Sequence, residues 1–272
     1  MTRILLRLLW WSNPDKSNSS IKMTKNKDRR SNSPSRPQCR IGTSGFHYKH
    51  WKRIFYPENL PTKQWFAHYA SHFDTVELNN TFYRLPPAES FKTWKDGAPN
   101  GFCFAVKFSR YGTHMMKLKN APDTIRRFTE RADLLQNHFG PILVQLPPKW
   151  DVNVERLEEF LVAAPPKYRW AVEFRDPRWL IDEVYDVLRQ HRAALCIHDM
   201  IADHPREITA GWVYLRFHGG HYDGDYDDST LRAVANEIEG YLKSGLDVYV
   251  YFNNDLHGHA VKNAATLKTL LA

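Results

Sequence analysis

The stretch VELNNTFYRLP, Val76 to Pro86, begins as an apolar strand and breaks into polar and aromatic residues with no glycine or charge run to mark the change. Side chains alternate across a strand. If Val76 and Leu78 face a covering layer, Glu77 and Asn79 therefore face the other way. Burying a charge without a partner is costly, so a carboxylate on a hidden strand face needs a counter-ion, water or a ligand. What Glu77 meets depends on how many such strands the chain contains.

From residue 40 onward, short apolar runs alternate with helix-period segments, the pattern of repeated βα units. The strand candidates are Arg40–Ser44, Asp74–Leu78, Phe102–Phe108, Ile142–Leu146, Arg169–Phe174, Ala194–His198, Val213–His218 and Val248–Phe252. Between them, apolar residues at spacings of three and four predict one-sided helices. Ile125, Phe128, Ala132 and Leu135 form one such set, and Val184, Val187 and Leu188 another. Ser229 is the expected N-cap of a helix over Leu231–Leu242, and Gly245 its expected stop.

Eight βα units in this length predict an α/β fold, a single (β/α)8 TIM-type barrel. An open doubly wound sheet would carry a glycine-rich phosphate turn, and Gly42-Thr43-Ser44-Gly45 is not G-x-G-x-x-G.

The parity argument extends to every strand but the first. With the branched and aromatic residues outward, the inward set comprises Glu77, Asn79, Lys107, Gln145, Glu173, Arg175, His198, Arg216, His218, Tyr251 and Asn253. These polar groups gather at the C-terminal strand ends, where barrels place their sites. The plain alternative is an internal salt-bridge layer, with Glu77 and Glu173 neutralising Lys107, Arg175 and Arg216. Asn80, Thr81, Phe82 and Tyr83 are expected to leave the second strand as a loop over the mouth.

The chain has 272 residues, 42% hydrophobic and 14% aromatic, ample for one core. Its formal net charge of +8 is concentrated at one end. Residues 1–39 carry nine Lys or Arg against Asp15 and Asp28, a net +7, leaving about +1 for the remainder. Residues 1–38, rich in Ser, Asn, Lys and Arg, are expected to be a disordered basic tail, and 39–272 the barrel domain. The opening MTRILLRLLWW also has the composition of a short amphipathic targeting helix. Cys39, Cys103 and Cys196 show no paired spacing, which argues for a reducing, cytoplasmic compartment. No apolar run is long enough to span a membrane.

The stretches IGTSGFHYKHWKRIFYP, VELNNTFYRLP, FAVKFSRYGTH, ILVQLPPKW, AVEFRDPRW and YVYFNNDLHGHAVKNA together resemble the YecE-like family, domain of unknown function 72. The likeness runs from about Arg40 to the C-terminus and excludes the tail. It implies a TIM-type barrel, with an analogy of fold and pocket to endonuclease IV and related barrels.

Three chemistries fit the residues. The first is a hydrolase-like reaction on a phosphate-containing ligand such as nucleic acid, with Glu77, Lys107, Glu173, His198 and His218 as catalytic candidates. Asn79, Asn80, Tyr83, Gln145, Arg175, Arg216, Asn253 and Asn254 are the ligand-binding candidates, joined by Arg110. The glycines Gly219, Gly220 and Gly258 stand where barrels often hold phosphate, and Phe46, Tyr48, Trp51, Phe82, Tyr83 and Trp179 offer stacking faces. A divalent metal would recruit Glu77, Glu173, His198, Asp199, His218, Asp255 and His257, but no metal motif is present and no metal ligand is assigned. The second chemistry is carbohydrate hydrolysis by Glu77 and Glu173, a reading that fails if both pair with Arg175 and Arg216. The third is a non-catalytic barrel that binds a ligand or partner, with the tail attaching to RNA or DNA.

Overall fold

The computed structural model describes residues 36–219 and 224–272. The expected tail therefore falls almost entirely outside the described residues, as does Gly220. The strands are β1 (Cys39–Thr43), β2 (Thr75–Leu78), β3 (Cys103–Lys107), β4 (Phe139–Gln145), β5 (Trp170–Glu173), β6 (Ala194–His198), β7 (Trp212–Phe217) and β8 (Asp247–Phe252). They form one parallel sheet in the order β1-β8-β7-β6-β5-β4-β3-β2, the cyclic order of a barrel. Helices α1 (Trp65–Ala70), α2 (Asn80–Tyr83), α3 (Ala88–Gly97), α4 (Ala121–Ala132), α5 (Val154–Ala163), α6 (Asp182–Gln190), α7 (Asp228–Lys243) and α8 (His259–Leu270) lie between or after them.

The seam between β1 and β2 is closed in two ways. Just past the end of β1, the Gly45 N–H donates to the Glu77 carbonyl of β2 at 2.8 Å. Deeper in, the Tyr69 hydroxyl of α1 accepts from the Thr43 N–H at 2.9 Å and donates to the Thr75 carbonyl at 3.0 Å. A phenol thus satisfies two buried backbone groups that would otherwise have no ladder partner. Gly42 is required by the same close approach: a Cβ there would lie 2.3 Å from the Thr75 carbonyl oxygen.

The interior follows the expected parity. Ala105, Leu143, Ala171, Ala194 and Cys196 pack inside the barrel against Trp212, Tyr214, Tyr249 and Tyr251. Small side chains on the middle strands thus leave room for large rings on β7 and β8. Val76, Val106, Val144, Val172, Leu195 and Val250 face outward and join the helix faces, including Ile125, Phe128, Val184 and Leu188, in the outer core.

Three local expectations are corrected. Asn80–Tyr83 leaves β2 as the short helix α2 rather than as a loop. The N-cap of α7 is Asp227, whose carboxylate accepts from the Thr230 N–H at 2.7 Å, while the Ser229 hydroxyl supports Asp227. β4 begins at Phe139, ahead of Ile142, because Gly140 and Pro141 mask a strand whose pairing with β3 shifts register between Phe104 and Val106. Proline inside a strand marks such irregularities.

Candidate functional site

The inward polar residues separate into a closed ion-pair network and an open cavity. Arg216 of β7, fully buried, sits at the centre of the network. It donates to Glu77 at 2.8 Å, to Glu173 at 2.5 Å and to the Ser44 hydroxyl at 3.0 Å. Ser44 in turn donates to Glu77 and accepts from Asn79 at 2.7 Å, so the first strand, which parity reading left empty, also supplies an inward polar group. The Tyr214 hydroxyl donates to the other Glu77 oxygen at 2.7 Å, and Arg175 donates to Glu173. Burial opposes ionisation of Glu173, but the Arg216 and Arg175 guanidiniums hold its carboxyl well below the usual carboxylate range. Two carboxylates are thereby matched to two arginines.

Lys107, at the C-terminal end of β3, stands outside this match. The residue is 9% exposed, yet among the described residues its ammonium has neither a carboxylate nor a hydrogen-bond acceptor. Its one recorded contact is the face of the Phe82 ring, 4.3 Å from Nζ to the centroid. Burial first, and then the Arg216 charge, push its pKa down from the ordinary 10.5 to about 8. Sequence arranges this locally: the Thr81 hydroxyl donates to the Lys107 carbonyl at 2.7 Å, pinning α2 to the end of β3 and setting Phe82 against the lysine.

The Lys107 amine borders a cavity of about 950 Å³ at the barrel mouth. Asn79, Asn80, Tyr83, Gln145, Arg175 and Asn253, all expected as ligand contacts, line it with Lys107. Arg110, His114 and His47 add polar edges, and Phe46, Tyr48, Phe82 and Trp94 add ring faces. Among the described residues Asp255 is the one carboxylate on its wall; it is held by His50 at 3.2 Å. The cavity is therefore predominantly cationic and aromatic.

Comparison with known proteins agrees with this barrel. A family model described as "Protein of unknown function DUF72" matches residues 40–272. The chain belongs to the DUF72 family. It is 24% identical over 261 residues to the UPF0759 protein YunF of Bacillus subtilis, covering 79% of this chain and 89% of that one. It is 31% identical over 112 residues to the UPF0759 protein YecE of Escherichia coli K12, and the match spans 41% of each chain. The crystal structure of a DUF72 protein from Thermotoga maritima superposes with a TM-score of 0.78 at 29% identity, covering 86% of this chain and 99% of that one.

The remaining candidates of this DUF72 barrel lie off the cavity. Glu77, Glu173 and Arg216 form its buried floor network rather than its wall. His198 has one ring nitrogen 2.8 Å from the Phe174 carbonyl while the other accepts from the Met200 N–H at 3.2 Å, and burial lowers its pKa. His218 bonds Asp199 through Nδ1 at 3.1 Å and lies 3.0 Å from Arg175 through Nε2; burial lowers its pKa too. Asn254 is buried, donating to the Gly224 carbonyl at 2.8 Å and to Asn263 of α8 at 2.9 Å. Gly219 and Gly258 shape loops behind the wall, Gly219 donating to the Tyr226 hydroxyl at 2.6 Å. Among the described residues, no group of three or more His, Cys, Asp and Glu is placed to hold a metal ion. Arg216 occupies the space between Glu77 and Glu173 that a cation would need.

Sequence reasoning missed His47, His114 and Trp94. His114 lies on a π-helical turn, Tyr111–Met115, a feature frequent at functional sites but without a simple sequence signal. Burial, with the charges of Lys107 and Arg110 beside it, lowers its pKa to about 4.

Proposed function

We propose that this chain binds a small organic ligand bearing an anionic group, phosphate being the best fit, in the cavity at the barrel mouth. One observation carries the reading: the buried Lys107 ammonium has no counter-ion among the described residues and borders a cavity wall that also holds Arg110 and Arg175. A ligand anion would supply the missing charge, and charge-assisted hydrogen bonds to such groups are the strong ones. The rings of Phe46, Tyr48, Phe82, Tyr83 and Trp94 would cover the organic part, as is usual for ligand sites.

A concave site with its lysine recessed favours a small molecule over a nucleic-acid strand. The carboxylates expected to act as hydrolytic acid and base, Glu77 and Glu173, are engaged by arginine, which weighs against both the phosphoesterase and the two-carboxylate glycosidase forms of the reading. We place the protein in the cytoplasm on its three free cysteines.

The test is thermal denaturation of the full chain with inorganic phosphate, ribose 5-phosphate and ribose. The proposal expects stabilisation that rises with ligand concentration for the phosphorylated compound and much less for ribose. It also expects that effect to be lost in Lys107→Met and Arg110→Ala. Equal shifts for ribose and its phosphate, or shifts unchanged in both variants, would overturn it.

A further inference from the structure

We infer that Lys107 is a carbonyl-reactive amine, which forms a Schiff base with an aldehyde or ketone bound in the mouth cavity. The inference rests on the anion-binding reading above and gives the substrate class: a small carbonyl compound carrying an anionic tail.

Four observations lead there. First, the lysine is recessed on a rigid strand end rather than on a loop, with its side chain almost fully buried and its Nζ held over the Phe82 ring. Second, the acids that would otherwise lock it as an ammonium, Glu77 and Glu173, are bonded to Arg216 and Arg175 on β7 and just beyond β5. Third, Arg110 and Arg175 share the cavity with it, so an anionic tail can be held by guanidiniums while the amine stays available for chemistry. Fourth, His114 and Tyr83 border the same space, and His114 is held as a neutral imidazole.

Desolvation next to other cations is the arrangement that activates a lysine as a nucleophile. With a pKa near 8, about a tenth of the amine is unprotonated at pH 7 and about half at pH 8. Burial disfavours the ammonium most and the Arg216 charge next, while Glu173 and Glu77 oppose them in part.

The step balances without any oxidant or reductant. The Nζ lone pair adds to the carbonyl carbon, the π pair moves to oxygen, and that oxygen takes a proton, giving a carbinolamine. Nitrogen then loses a proton, its lone pair expels the hydroxyl as water after a second protonation, and a protonated imine remains. His114 lines the same cavity, and solvent in the open mouth can exchange these protons.

The test is reductive trapping. The full-length chain is incubated with glyceraldehyde 3-phosphate or with unphosphorylated glyceraldehyde, sodium borohydride is added, and adducts are mapped by peptide mass spectrometry. The expected result is one dominant adduct on Lys107, half-saturating at about tenfold or more lower concentration for the phosphorylated aldehyde. Lys107→Arg and Lys107→Met should each lose that adduct, while Arg110→Ala should keep an adduct on Lys107 and lose the preference for the phosphorylated aldehyde. Adducts spread over surface lysines such as Lys52 and Lys63, and unchanged in the variants, would overturn the inference. Phosphate stabilisation without trapping at Lys107 would also overturn it while leaving the anion site standing. Trapping at Lys107 with no preference for phosphate would support the reactive amine and overturn the anion site.

Discussion

The Arg216 guanidinium donates to Glu77 at 2.8 Å with both side chains wholly buried, and the same guanidinium reaches Glu173. Replacing Arg216 therefore leaves Glu77 buried without a cation and Glu173 with Arg175 alone. Removing one member of a buried ion pair typically costs about 3–5 kcal/mol. Arg216→Met is expected to lose at least that much in urea denaturation, and Glu77→Gln less, because the amide oxygen can still accept from Arg216 while the amide NH2 donates to the Tyr214 hydroxyl. Equal losses for the two variants would show that the network is not centred on Arg216.

The β1–β2 seam gives a second expectation. Tyr69→Phe removes the hydroxyl that joins the Thr43 N–H to the Thr75 carbonyl, leaving both buried groups unpaired. An unsatisfied buried polar group costs about 1–3 kcal/mol, so thermal stability should fall by that order with the pocket chemistry intact. Gly42→Ala acts at the same place by overlap with backbone rather than by loss of a bond, and should be at least as harmful. A Tyr69→Phe protein as stable as the parent would mean that the seam is held by the Gly45–Glu77 hydrogen bond alone.

Lys107 leads to a prediction of the opposite sign. A buried, unpaired ammonium opposes folding, so Lys107→Met should raise stability, on the order of 1–3 kcal/mol near neutral pH. The folded pKa of about 8 lies below the unfolded value, so the unfolded chain binds more protons between pH 8 and 10.5. Parent stability then rises with pH through that window. The advantage of Lys107→Met should be complete below about pH 8 and fade as pH approaches 10.5. Chemical denaturation at several pH values checks it; an advantage that does not change with pH would assign the effect to packing.

These residues also show what was readable in advance. Strand parity placed Glu77, Lys107, Gln145, Glu173 and Arg216 inward, because alternation is a local property of the backbone and the outward Val, Leu and Phe mark its phase. It did not show which acid meets which base. Glu77, Glu173 and Arg216 lie on β2, β5 and β7, and their meeting depends on barrel closure, a long-range property. The salt-bridge alternative describes part of these charges: Glu77 and Glu173 pair with Arg175 and Arg216, while Lys107 is left out of the layer. His47 and His114 went unread because they sit on irregular segments after β1 and β3, where no periodicity points a side chain anywhere. His198 and Asn254 had the right residue types and positions for a site, but buried backbone and side-chain partners engage them instead.

His114 carries the last expectation. Burial and the charges of Lys107 and Arg110 hold it neutral, with a folded pKa near 4 against an ordinary 6.5. The unfolded chain therefore takes up a proton first as pH falls, so this histidine's contribution to stability is present above about pH 6.5 and is lost toward pH 4. Lys107→Met removes one of the two nearest cations, and the His114 pKa should move up toward its ordinary value, by an amount readable in an NMR titration of its ring protons. Bound phosphate should move it in the same direction, since an anion favours the imidazolium. If neither the substitution nor phosphate shifts His114, then Lys107 and His114 do not share one electrostatic site.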